Sequence, residues 1–77
     1  MTVLHRLSSL AVGQTATVQV LHVDSGFQFR LHALGFRIGK TLKVIRLAPF
    51  NGPLQLRLGN TDVMLRQQDA HKIEVLL

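Results

Sequence analysis

A chain of 77 residues that is 47% apolar and has no cysteine buries only about 60% of its unfolded surface, so it must fill one small core densely, without disulfides or thiolate-bound metal. Nine Lys and Arg against four Asp and Glu give a formal charge of +5, which favours an acidic partner (nucleic acid, an acidic protein surface or anionic lipid) without choosing among them. Apolar runs are short and His5 and Arg6 interrupt the N-terminus, so neither a signal peptide nor a membrane span is expected, and a reducing cytoplasm fits.

Taken in chain order, Leu4, Leu7 and Leu10 recur with Ser8 and Ser9 between them, which predicts a loose helical turn packing across one end of the domain. Val12-Gly13-Gln14 marks a turn. From Thr15 the period becomes two, with Ala16, Val18 and Val20 on one face and Thr17 and Gln19 on the other, in residues that favour a strand. Asp24 or Ser25 can accept from the free N–H groups at the start of a helix, predicted over residues 25–34. Phe27, Leu31 and Leu34 form its inward stripe, and Phe29 and His32 fall near the opposite side. Gly35 stands where that helix would end in a left-handed residue, placing Leu31 and Phe36 as the apolar pair of a Schellman ending and turning Phe36 toward the core. Gly39 provides a second tight turn.

Over Lys40–Ala48 the inward parity changes from Leu42 and Val44 to Ile45 and Leu47, which predicts a strand with a β-bulge near Val44–Ile45. Pro49 closes that strand, and Asn51-Gly52 before Pro53 supplies a turn. Leu54, Leu56 and Leu58 alternate with Gln55 and Arg57 as the third strand. Gly59-Asn60 is a two-residue hairpin signal, and Val63 and Leu65 alternate with Asp62, Met64 and Arg66 as the fourth. A polar turn, Gln67–Lys72, leads to Ile73 and Val75 in the fifth. Five short strands with one inserted short helix predict a mainly β fold, a small closed or half-open barrel forming one domain over residues 1–77.

Three motifs appear in order: Arg30-Leu31-x-x-Leu34-Gly35-Phe36-x-x-Gly39, then Ala48-Pro49-x-x-x-Pro53, then Leu65-Arg66 followed by Ala70-x-x-Ile73-x-Val75. Together they resemble the FeoA family, ferrous iron transport protein A. One departure lies in the loop, where the family often carries Gly-Asp before the second proline and this chain has Asn51-Gly52, which keeps a turn-forming pair but removes an acid. The resemblance implies an SH3-like barrel whose framework residues are Leu31, Leu34, Gly35, Phe36, Gly39, Pro49 and Pro53. It also implies a freestanding cytoplasmic accessory protein that supports Fe(II) uptake by associating with the transporter FeoB, whose G domain is the candidate contact. The membrane would be reached only through the transporter, with no cofactor and no small-molecule substrate.

The residues themselves weigh the chemistry. His5, His22, His32 and His71 are ligand types for Fe(II), yet no two are spaced at i, i+3 or i, i+4, and Asp24, Asp62, Asp69 and Glu74 are scattered, so no metal site is expected. No paired carboxylates, no nucleophile with a nearby base and no phosphate-cradling Gly-x-x-x-x-Gly-Lys loop are present, so no enzyme activity is expected. Arg37, in the turn between Phe36 and Gly39, is either a solvated arginine or one supplied to a partner's GTPase site. Lys43, Arg57 and Arg66 on outward strand positions, with Lys40 and Arg46, raise nucleic-acid binding as the alternative, but the chain has no Trp or Tyr to stack on bases. Phe29, Phe50 and Met64, with His32 and Arg37, are the candidate partner contacts, because unpaired apolar surface beside basic groups suits protein docking.

Overall fold

Alternating apolar and polar residues assemble into one antiparallel sheet in the computed structural model, which describes residues 3–77. The strands are β1 (His5–Arg6), β2 (Thr15–Leu21), β3 (Thr41–Leu47), β4 (Leu54–Leu58), β5 (Thr61–Leu65) and β6 (Ile73–Leu76), arranged in the order β1-β6-β2-β3-β4-β5. Helix α1 (Ser25–Leu34) crosses between β2 and β3, and a one-turn helix α2 (Gln67–Ala70) joins β5 to β6. Inward residues of every strand but the shortest meet one core, in which Leu7, Val18, Val44, Leu54, Leu56, Ile73 and Val75 are wholly buried.

Helix α1 begins and ends as its sequence dictates. The Asp24 carboxylate accepts from the Phe27 N–H at 2.8 Å, satisfying one of the helix's free donors. Gly35 adopts φ 102° and ψ 0°, and the N–H groups of Gly35 and Phe36 donate to the carbonyls of His32 and Leu31 at 3.0 and 2.9 Å. This is the two-bond Schellman pattern. It delivers Phe36 into the core beside Leu31, both fully buried, and such burial of a Phe contributes on the order of 1.5–3 kcal/mol. The turn after it is tied to the sheet, since Gly39 donates to the Val18 carbonyl at 2.7 Å and Val18 donates to that of Lys40 at 2.9 Å.

The bulge expected in β3 is present: the β3–β4 register shifts between Val44 and Arg46. Other details differ from the sequence reading. There are six strands rather than five, because β1 has only two residues, too few to show an alternation; the helical turn expected around Leu7 is a 3₁₀ turn over Leu7–Ser9 immediately after it. Strand β2 has a bulge of its own between Val18 and Val20, which leaves Val20 only half-buried. The polar stretch Gln67–Lys72 contains α2, whose Ala70 is fully buried. Leu34 does not point inward but is 45% exposed, because Phe36, brought back by the helix ending, fills the core beyond Leu31. Leu47, at the end of β3 beyond the bulge, is likewise 37% exposed rather than inward. The loop turn sits one residue earlier than Asn51-Gly52: Phe50 and Asn51 are the left-handed pair, at φ 58° and 57°, and Gly52 donates back to the Pro49 carbonyl at 3.1 Å.

Candidate protein-docking site

Two exposed apolar side chains, Leu34 and Met64, come together where α1 passes the β5–α2 segment. Phe27, half-buried against the core, joins Leu34 and the 58%-exposed Met64 in lining a groove whose charged residues are Arg30, Arg66 and Lys72 with Asp24 and Asp69. The helix supplies Phe27, Arg30 and Leu34 from one side because positions three and four apart share a face. The Arg30 guanidinium stacks over the Phe27 ring with its carbon 5.1 Å from the centroid, so the cation covers part of the apolar floor. Arg66 is shared with an adjoining depression lined by Asn51, Pro53 and Gln68, which leads toward the hairpin tip carrying Phe50. A groove that sets a few apolar side chains among charged and polar ones is compatible with a protein contact surface, whose rim is polar.

The residues singled out from the sequence fall at different places. Met64 lies in the groove and Phe50, 99% exposed, stands at the tip beyond the adjoining depression. Phe29 is 76% exposed on α1 but does not line the groove, and His32 is half-buried on the same helix. Arg37 is exposed in the turn before β3, where its carbonyl accepts from the Lys40 N–H at 3.0 Å. Of the residues lining the groove only Met64 is among the sequence candidates; Phe27, Arg30 and Leu34 on α1, with Arg66 and Lys72, are the members that sequence reasoning missed. Leu34 matched the inward stripe of the helix, and the only sign of Arg30 was its place one turn after Phe27.

Two histidines have side-chain partners far away in sequence. His22 Nε2 lies 2.5 Å from Glu74 Oε2, and His71 Nδ1 lies 3.4 Å from the Ser8 hydroxyl. Among the described residues no three His, Cys, Asp or Glu side chains gather as a metal-binding group. Elsewhere, the Arg57 guanidinium donates from Nε and Nη2 to Asp62 Oδ1 and Oδ2 at 2.8 and 3.2 Å. That fork holds the Asp62 carboxyl below the usual carboxylate range, with the Gln55 amide adding a bond at 3.2 Å, and raises Arg57 in turn. No helix among the described residues is long and apolar enough to cross a membrane.

Known proteins match this architecture. The family model of the FeoA domain covers residues 5–77. A fusion of Fe(2+) transport protein A with the Fe(2+) transporter FeoB from Porphyromonas gingivalis is 39% identical over 72 residues; the match takes in 94% of this chain but only 8% of the fusion protein's length. The solution structure of the FeoA protein from Chlorobium tepidum superposes with a TM-score of 0.89 at 30% identity, covering 95% of this chain and 70% of that one. A crystal structure of an iron uptake regulatory protein (FeoA) gives 0.87 at 20% identity, over 96% and 97% of the two chains. These are SH3-like folds, as is the six-stranded sheet described above.

Proposed function

The chain belongs to the FeoA family, and from that premise we propose that it is a cytoplasmic, non-catalytic accessory protein of ferrous iron uptake that docks onto a FeoB-type transporter. The observation that carries this reading is the Porphyromonas gingivalis relative, in which a segment similar to nearly the whole of this chain is fused to FeoB. Fusion holds two modules at an effective concentration in the millimolar range. Two modules that dock on one another need a surface, and the groove of Phe27, Leu34 and Met64 with the Phe50 tip offers one. Phe50 supports the reading twice over, since it adds nothing to the core and sits in a left-handed conformation that costs a non-glycine residue about 1–2 kcal/mol. The G domain is the part of the transporter proposed to receive it, with Arg37 free to approach a bound nucleotide's phosphates.

The test is a binding titration of this protein against the purified cytoplasmic G domain of its cognate FeoB-type transporter. Phe50→Ala and Met64→Ala should each weaken association by more than about 1 kcal/mol, as buried anchors do; Phe29→Ala, outside the groove, should weaken it less, and Arg37→Ala should slow any stimulated GTP hydrolysis without loss of binding. Failure to bind under any condition, together with recovery of RNA from cytoplasm whose affinity falls steeply with salt, would sink the accessory reading in favour of nucleic-acid binding.

A further inference from the structure

A second surface, sharing no residue with the groove, lies across β3 and β4. Gly39, Lys40, Thr41, Lys43, Arg57 and Gly59 line a shallow open depression there. The sheet register sets Lys43 directly opposite Arg57, and Arg57 directly opposite Asp62. Like charges facing each other across a strand pair are destabilising, and of the three cations lining the depression only Arg57 has a carboxylate partner, Asp62, which it grips through two of its nitrogens. Lys40 and Lys43 are exposed, and neither makes a salt bridge to any described residue. Gly39 and Gly59 have open space where side chains would otherwise stand, so a ligand can reach the floor.

We propose that this depression binds a carboxylate-rich segment of a protein partner, an Asp- and Glu-bearing peptide strand laid over Lys40, Lys43 and Arg57. The internal Arg57–Asp62 fork is the same recognition already made once within the fold. The lining contains no aromatic residue, which removes the stacking platform that single-stranded nucleic acid uses and favours a peptide over an oligonucleotide. The Thr41 hydroxyl is a further donor for a carboxylate oxygen. The site is independent of whether FeoB is the partner, and its test uses this chain alone.

The experiment follows backbone amide resonances of the isotopically labelled protein while a hexaglutamate peptide is added, with inorganic phosphate and a single-stranded oligodeoxynucleotide of matched charge as parallel arms. Saturable shifts confined to residues 39–43 and 57–59 are expected for the peptide, with weaker binding of both other probes. The Lys40→Gln/Lys43→Gln double variant should lose about tenfold or more in affinity, and the wild-type affinity should fall as salt rises. The thermal midpoint of the double variant reports its fold, and the resonance map of the wild-type protein stands without it. Shifts spread over Arg66 and the groove, affinity unchanged in a folded double variant, or phosphate or oligonucleotide binding as tightly as the peptide would each overturn the proposal.

Discussion

The Phe36 N–H donates to the Leu31 carbonyl at 2.9 Å while both side chains are fully buried, so one residue pair closes the helix and anchors it to the core. Gly35 between them makes this possible at φ 102°. Gly35→Val puts a β-branched side chain into a left-handed site, a strain of roughly 1–2 kcal/mol or more. The expected result is a thermal midpoint several degrees lower, by about 4–8 °C for each kcal/mol in a domain of this size. An unchanged midpoint would contradict the helix ending described here.

Phe50 predicts an opposition between stability and binding. Asn tolerates the left-handed region far better than Phe, and at 99% exposure the ring contributes no packing. Phe50→Asn should therefore raise the thermal midpoint by a few degrees, corresponding to about 1 kcal/mol, while weakening the proposed association with the transporter roughly tenfold. A midpoint that falls would mean that the ring supports the hairpin.

Acid should loosen the β4–β5 pair. Arg57 and Gln55 depress the Asp62 carboxyl in the folded state, so its contribution is present above the ordinary carboxylate pKa and disappears as pH falls through the lowered folded value. Both side chains are well exposed, so the effect is small and screened by salt. Carbon-detected NMR titration should place Asp62 below the ordinary aspartate value, and Asp62→Asn should flatten the acidic limb of midpoint against pH. A titration point within the normal range would contradict the fork geometry.

Metal should not bind the isolated chain stoichiometrically. His22 is engaged by Glu74, and the described His, Asp and Glu side chains form no group of three, fewer than a dedicated site requires. Anaerobic calorimetry with Fe(II) and Zn(II) at micromolar protein is expected to give no one-to-one isotherm. One that vanished in His32→Ala or His71→Ala would reveal a site assembled by another route.

Periodicity carries most of what could be foreseen. The alternations of Leu54–Leu58 and Ile73–Leu76, the cap at Asp24, the ending at Gly35 and the β3 bulge all follow from local rules, because in each the side chains that decide the geometry are sequence neighbours. What escaped depends on distant packing. β1 exists only because β6 offers it a partner, and Leu34 is displaced outward by the position of Phe36. The dipeptide Asn51-Gly52 suggests a glycine needed for its turn conformation, but Gly52 is not left-handed and provides clearance instead: a Cβ there would lie 2.7 Å from the Ala48 Cβ and 3.0 Å from the Pro49 carbonyl oxygen. The groove shares this character. Met64 was visible as an outward residue, whereas its meeting with Phe27 and Arg30 across α1 and β5 is a property of the assembled barrel.

Strand β6 lies between β1 and β2, and the Arg6 side chain reaches across 65 residues of sequence to the His71 carbonyl at 2.6 Å. During synthesis at roughly 5–20 residues per second, the slot between the two N-terminal strands therefore stays empty until the segment through Leu76 has left the ribosome. Until that moment β1 has no partner and one edge of β2 lies open, so a ribosome stalled near α2 would display an unpaired strand rather than a nearly finished barrel.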